Sequence, residues 1–292
     1  MTSALRFAVS IVLLAVAGCT LPFVEKDKSV RVLVYNIHAG KDAGGTPNLD
    51  EVAALVKSVS ADIVLLQEVD RGTKRSGGVD QLQGLMDRTG FGGAFGRTLD
   101  YDGGLYGIAA LSRDGFGYQD TVPLRVVPVQ ARTGGSHEPR GALVTVAHTR
   151  IGRVQAITTH LDASAGDEYR QQEADRLYEI LRERQATGTP LMLGGDINAT
   201  PESAVVQTLL GFGLRDAWAE CGQGDGFTFS ASAPVKRIDY LFLTGTLRCT
   251  DARVIETQAS DHRPLLVTVV LNQRAPDPAA FALRASAPKL AP

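Results

Sequence analysis

The sequence predicts an α/β fold in which stacked sheets are covered by helices within one domain. Three observations predict it. Apolar runs of strand length recur along the chain, and only a few segments between them have helical periodicity. The 292 residues, 44% of them apolar, suffice for one sizeable core.

In chain order, the first stretch is "MTSALRFAVSIVLLAVAGCT", with a single cation, Arg6, ahead of an apolar run from Phe7 to Ala17. That run is too short to span a membrane as a helix and reads as an export signal covering residues 1–18. Its end, "VAGC", is similar to the bacterial lipoprotein signal, which implies that Cys19 becomes the lipid-modified first residue of the mature chain. Two acyl chains at Cys19 would give stable attachment to a membrane. Thr20 rather than Asp in the next position points to the outer membrane, facing the periplasm, if the source is Gram-negative. Of the 30 Lys and Arg only Arg6 is removed with the leader, which leaves the mature chain at about −3. No global basic field is present to attract nucleic acid or anionic membrane.

Residues 19–29 form a polar tether. "VRVLVYNIH" then reads as a buried strand, and Leu49, Val52, Ala53 and Val56 follow at the spacing of one helix face. "ADIVLLQEVD" is a second buried strand. The polar loop "RGTKRSGGVD" precedes a short helix that runs through Met86. "YGIAALS", "GALVTVAHT" and "RVQAITTHLD" are strand-like, and a long helix from about Asp167 to Gln185 places Ala174, Leu177, Tyr178 and Leu181 on one face. "PLMLGGDINATP", "RIDYLFL", "ARVIET" and "PLLVTVVL" complete the strands, so the domain spans residues 30–271. The tail 272–292 is rich in Ala and Pro, has no sustained apolar period, and reads as flexible. Cys221 and Cys249, an even pair in an exported chain, permit one disulfide; two unrelated buried thiols are the alternative.

Polar groups end these strands repeatedly. Asn36 closes "LVYN", Glu68 closes "VLLQE", His160 closes "AITTH", and Asp196 with Asn198 closes "LMLGGDIN"; Asp239 lies in "RIDYLF" and Asp261 with His262 in "ASDHRPL". One such ending is explained by turn or capping chemistry, since Asn and Asp serve both. Six across the chain point instead to one cleft at a shared sheet edge. Carboxylate and amide oxygens are hard ligands suited to Mg²⁺ or Mn²⁺, and imidazoles suit proton transfer, a combination that phosphoryl transfer uses.

Seven pieces in order, "YNIH", "LLQEVD", "YGIAALSR", "TTHLD", "GGDIN", "RIDYLF" and "SDHRPL", resemble the endonuclease/exonuclease/phosphatase superfamily, whose members include deoxyribonuclease I, abasic-site endonucleases, sphingomyelinases and inositol polyphosphate 5-phosphatases. The resemblance implies a four-layer α/β sandwich, with two packed, mostly antiparallel sheets flanked by helices. It implies Glu68 as principal ligand of Mg²⁺ or Mn²⁺, with Asn36 beside it and Asp261 in support. Asp196 and Asn198 would orient the attacking water and a phosphate oxygen. His262, held by Asp239, would transfer a proton or stabilise the phosphate, and His160 would face it across the scissile phosphate. Tyr106 and Arg140 are candidates for substrate contact. "YGIAALSR" departs from the pattern, because many members have Asn where this chain has Ile108.

The implied activity is a metal-dependent phosphoesterase acting on a diester, with nucleic acid, phospholipid head groups and inositol phosphates as substrate classes. A phosphomonoesterase and a non-catalytic surface module on the same fold are the alternatives. Simpler readings apply at single positions. Asp239 and Arg237 share a strand face and could only pair at the surface. Arg140, Arg75 and Ser76 read as solvated groups, although they could meet a substrate phosphate. His148 reads as a core residue, His137 lies in a loop, and His38 has no motif role.

Overall fold

The computed structural model describes residues 28–126 and 138–272. The leader, Cys19, most of the tether, His137 and the tail beyond Asn272 lie outside the described residues.

The elements in order are β1 (Ser29–Asn36), α1 (Leu49–Ser58), β2 (Ile63–Arg71), α2 (Gln81–Thr89), β3 (Gly92–Tyr101), β4 (Gly104–Ser112), β5 (Phe116–Leu124) and β6 (Arg140–Thr149). They continue with β7 (Gly152–His160), α3 (Glu168–Gln185), β8 (Leu191–Asp196), α4 (Ala204–Gly211), β9 (Arg215–Asp216), α5 (Ala217–Cys221), β10 (Asp239–Leu243), β11 (Leu247–Val254) and β12 (Leu265–Leu271). Two six-stranded sheets result, ordered β11-β12-β1-β2-β4-β3 and β5-β6-β7-β8-β10-β9. Parallel pairing joins β1 to β2 and β7 to β8, and the other pairs are antiparallel.

The uninterrupted apolar runs follow from burial on both faces of these strands. Val32, Val34, Ile63, Leu65 and Ile108 of the first sheet meet Leu143, Ala156, Met192 and Leu241 of the second in a central core. Their alternates in the first sheet, Leu33, Tyr35, Val64 and Leu66, pack under Val52, Ala53 and Val56 of α1 and Leu82 and Leu85 of α2. Those of the second, Val144, Ile157, Leu193 and Phe242, pack under Ala174, Leu177 and Leu181 of α3 and Val205, Val206 and Leu209 of α4. The order helix, sheet, sheet, helix is the four-layer sandwich. Val52 and Val56 are fully buried, and burial of such a side chain contributes about 1.5–3 kcal/mol.

The sheets approach closely at "LMLGGD". A Cβ on Gly194 would lie 2.7 Å from Leu65 Cδ1 and 3.1 Å from Val34 Cγ2, both on the opposite sheet. A Cβ on Gly195 would lie 1.9 Å from the carbonyl oxygen of Thr159 in β7. Close by, Gln67 Nε2 donates to Thr158 Oγ1 at 2.9 Å, a buried polar link from one sheet to the other.

Cys221 of α5 and Cys249 of β11 are joined by a disulfide, with Cα atoms 5.9 Å apart and a sequence separation of 28. A loop of that length is stabilised by about 3 kcal/mol in the chain-entropy account. His148, expected in the core, is exposed near the end of β6. The strand's apolar run is buried through Ala147 and leaves the core at the following residue.

Candidate active site

Strand register assembles half of the site. His160 pairs with Asp196, and Asp196 pairs with Asp239, so three neighbouring strands of the second sheet bring these residues into one row. His160 Nε2 lies 3.7 Å from Asp196 Oδ2, and His262 Nε2 lies 3.6 Å from the same oxygen. His262 Nδ1 is 2.9 Å from Asp239 Oδ2. All four side chains are almost completely buried.

The first sheet supplies the other half. Asn36 at the end of β1 is fully buried, and its Nδ2 donates to Glu68 Oε1 at 3.0 Å and to Asp196 Oδ2 at 3.1 Å. One amide therefore bridges the carboxylates of opposing sheets. Its Oδ1 accepts the backbone N–H of His38 at 3.0 Å. Glu68 sits where the register between β2 and β4 shifts, and its backbone is left-handed at φ 57°. A non-glycine residue there is strained, and such strain concentrates at functional sites. Asp261 remains about one-third exposed, 3.8 Å from His38 Nδ1.

Ser260, buried between these parts, donates through Oγ to the carbonyl of Asn36 at 2.8 Å and accepts the backbone N–H of His262 at 3.3 Å. It clamps the "SDHRPL" turn onto β1. Sequence reasoning passed over Ser260 because a lone serine before an Asp-His pair has no chemical signature of its own.

The electrostatics separate the two imidazoles. Burial pushes His160 well below its usual range, helped by the charges of Arg140 and His262, so it is neutral. Burial also opposes charge on His262, but Asp239 and Asp196 outweigh it and carry the imidazole up to about 10. Burial and the neighbouring Asp239 raise Asp196 to about 7, against the pull of His262. His160 Nδ1 has no hydrogen-bond partner among the described residues.

Two of the simpler readings fail at this edge. The chain does not stay extended beyond Asp196. Asn198 is left-handed at φ 52°, its N–H donates to Asp196 Oδ1 at 2.9 Å, and its Nδ2 donates to the Leu161 carbonyl at 3.0 Å. Neither residue caps a helix, because Ser203 caps α4 by accepting from the N–H of Val206. Asp239 does not pair with Arg237, which instead meets Asp216 at 2.7 Å, both buried.

Arg140 and Arg75 are not solvated charges. The Arg140 side chain is 4% exposed and lies 3.2 Å from Glu138. Arg75 makes a two-pronged ion pair with Asp70, a charged residue inside the strand whose partner was not legible in sequence. Tyr106 is buried, and its hydroxyl is held protonated by burial and by the charge of Glu68. Ile108, the departure from the family pattern, belongs to the central core.

The donor set fits a hard divalent cation. Glu68 and Asp261 are partly exposed carboxylates, and Mg²⁺ or Mn²⁺ retains several waters that such an opening admits. Asp196, Asp239 and His262 also offer ligand atoms within 4.8 Å of one another. That group is nearly sealed from solvent, and its imidazole is engaged with Asp239, so the Glu68 side suits a hydrated ion better.

A sequence model of the Endonuclease/Exonuclease/phosphatase family matches residues 33–262. The uncharacterized protein YbhP of Escherichia coli K12 is 26% identical over 264 residues, covering 86% of this chain and all of its own length. A solved endonuclease/exonuclease/phosphatase from Beutenbergia cavernae superposes with a TM-score of 0.70 at 23% identity, over 84% of this chain and 72% of that one. A mannosyl-6-phosphatase from Bacteroides thetaiotaomicron superposes with a TM-score of 0.68 at 19% identity, over 82% and 99%.

Proposed function

The chain belongs to the endonuclease/exonuclease/phosphatase family, whose members are hydrolases of phosphate esters, and on that premise we propose a metal-dependent phosphoesterase that cleaves a phosphodiester by attack of water. The observation that carries this reading is the convergence of Glu68 and Asp196 on one Asn36 amide, with His160 and His262 at 3.7 and 3.6 Å from the same Asp196 oxygen.

A Mg²⁺ or Mn²⁺ ion held by Glu68 with Asn36 and Asp261 would neutralise charge on the phosphate oxygens. Asp196 takes a proton from the attacking water as the new P–O bond forms; the bond to the leaving ester oxygen breaks, and that oxygen departs as the alcohol after taking a proton from solvent. Its elevated pKa suits a base working near neutrality. Asn198 holds its backbone N–H on Asp196 and fixes that carboxylate. His262, kept protonated by Asp239, donates to a phosphate oxygen. Neutral His160 donates from the opposite side of the scissile phosphate, and Tyr106 and Arg140 contact the substrate beyond it.

A phosphomonoesterase is the second reading, supported by the likeness of fold to the mannosyl-6-phosphatase. Export and lipid attachment at Cys19 belong to the same proposal and rest on "VAGC". The test is turnover of bis(p-nitrophenyl) phosphate and p-nitrophenyl phosphate with and without Mg²⁺. Metal-dependent turnover of the diester is expected; full activity in a chelator overturns the mechanism. For the anchor, Cys19→Ala is expected to release the protein from the membrane fraction, and unchanged fractionation and mass overturn it.

A further inference from the structure

The edge of the sandwich opposite the site is basic. Arg31, Asp62 and Arg113 form one row across the first sheet: the N–H of Asp62 donates to the Arg31 carbonyl at 2.8 Å, and that of Arg113 to the Asp62 carbonyl at 2.9 Å. Arg150, at the β6–β7 turn of the second sheet, joins them. The Asp62 carboxylate accepts from Arg150 Nη2 at 2.6 Å, from Arg113 Nε at 3.3 Å and from the backbone N–H of Arg31 at 2.9 Å. Its side chain is 10% exposed, whereas those of Arg113 and Arg150 are 45% and 40% exposed. A nearly buried carboxylate therefore fixes two guanidiniums that still face water. Arg113 is held further by Nη2, which donates to the Ala61 carbonyl at 2.7 Å, and by the ring of Phe91, whose centre is 5.0 Å from the guanidinium carbon. At Arg31 and along the segments 57–62, 113–115 and 148–153, five cations stand against Asp62 and Asp114. The small negative charge of the whole chain hides this local excess.

Two features say what meets this rim. The first is where the chain enters the domain. Ser29 begins β1 beside Arg31, and the strand runs from the rim to Asn36 at the site, a rise of about 23 Å. Ten residues lead from Cys19 to Ser29, and such a segment reaches at most about 36 Å. A lipid at Cys19 would bring the rim within reach of the head groups around it. The second is charge. Arg and Lys clustered beside an anchor are drawn to anionic head groups, and the attraction fades within a Debye length. Planar guanidinium forks also match phosphate oxygens two at a time. Any polyanion would satisfy the charge; the point of chain entry decides for lipid.

We propose that the rim around Arg31, Arg113, Arg150 and Arg153 rests on the anionic phospholipid surface of the membrane that holds Cys19. The site at the opposite edge then opens to water, and its substrate is a soluble phosphate ester rather than a lipid of that membrane. The direction of the site rests on the anchor at Cys19 and on the phosphoesterase reading given above; the affinity of the rim for anionic lipid rests on neither.

The test is cosedimentation of the full chain carrying Cys19→Ala, and so free of lipid, with vesicles of phosphatidylcholine alone or with about 30% phosphatidylglycerol. Binding to the anionic vesicles is expected to be at least about tenfold tighter, and to fade as salt rises from about 0.05 to 0.5 M. Lys57→Gln with Arg153→Gln, which leaves the Asp62 cluster intact, is expected to weaken that binding by about tenfold. Arg113→Lys with Arg150→Lys keeps the charge and is expected to keep the binding, whereas the same pair changed to Gln is expected to lose it. Lys74→Gln with Lys236→Gln removes as much charge from the site edge and is expected to change binding by less than about threefold. Equal binding to both kinds of vesicle, or equal loss from the two edges, overturns the rim. Capture of a DNA duplex without capture of anionic vesicles overturns it as well. Vesicle-bound protein is expected to hydrolyse bis(p-nitrophenyl) phosphate as fast as free protein and to leave the vesicle lipids whole; release of their head groups overturns the orientation. Loss of that hydrolysis with vesicle binding retained sinks the phosphoesterase reading and leaves the rim standing. The anchor is read separately, by the fractionation of Cys19→Ala.

Discussion

The two halves of the site are built on opposite principles. On the second sheet Asp196, Asp239, His160 and His262 are almost sealed from water and sit in register on neighbouring strands or against them. On the first sheet Glu68 and Asp261 remain partly open, and Asn36 reaches across to Asp196. The sealed half makes the charge state of each group depend on its neighbours, because burial amplifies every pairwise interaction. The open half leaves carboxylates free to exchange water for other ligands. Proton transfer needs the first property and metal capture the second.

The largest expected effect tests the open half. Glu68→Gln is expected to lower turnover by on the order of 10⁴-fold, about 5 to 6 kcal/mol at the transition state, while the melting temperature changes little. Mg²⁺ is expected to raise the melting temperature of the parent and not of this variant. An equal Mg²⁺ response in both would place the ion on the sealed half and break the comparison.

Asp196→Asn is next, with turnover lower by on the order of 10³-fold. Its stability moves the other way. The folded-state pKa near 7 lies above the ordinary carboxylate value, so the folded state binds the proton more tightly, and stability is lost as pH rises from about 4 to 7. Removing the acid is expected to raise the melting temperature at pH 8. A variant that keeps turnover within about tenfold of the parent sinks the role of Asp196.

Asp239→Asn is expected to cost on the order of 10²-fold in turnover and to lower the melting temperature, because buried His262 loses the partner that keeps it charged. The sign follows from the raised folded pKa of His262: its contribution is fully present below about 6.5 and is lost as pH rises through about 10. An unchanged melting temperature at pH 6 would show that the pair does not couple.

The smallest effect lies behind the sealed half. Glu173 of α3, fully buried, accepts the backbone N–H of Asp162 at 2.8 Å, and burial raises its pKa to about 8. Stability is therefore expected to fall as pH rises from about 5 to 8. Glu173→Gln retains the acceptor and should flatten that fall, by on the order of 1 kcal/mol or more at pH 9. Parallel denaturation curves across this pH range for parent and variant would remove Glu173 from the account.

Much of this was legible in the chain. Strands buried on both faces appear as continuous apolar runs, and the polar residue that ends each run stands out, which is why the sequence alone singles out Asn36, Glu68, His160 and Asp196. β3 was not legible, since Gly92, Gly93 and Gly96 interrupt its apolar content. β5 is mostly exposed and carries Pro123, so it has no core-facing run. Arg237 and Asp239 shared a face in the alternation, but their partners, Asp216 and His262, come from elsewhere in the fold. Pairing at a distance is a tertiary fact that periodicity does not encode. For the same reason the loop "RGTKRSGG" reads as solvated in sequence, although Asp70, Tyr101 and Tyr106 hold its Arg75.

The glycine pair on β8 bears on any exhaustive mutational survey of this chain. Gly194 has the side chains of the facing sheet against it, and Gly195 has a carbonyl of the adjacent strand β7 where a Cβ would go, so a replacement at Gly194 forces the two sheets apart and one at Gly195 forces β8 away from β7. Scored by activity alone, both positions will be as intolerant as Asp196 beside them and will look like part of the chemistry. Soluble yield separates the classes: glycine replacements disappear from the folded fraction, whereas Asp196→Asn remains in it, folded and inactive.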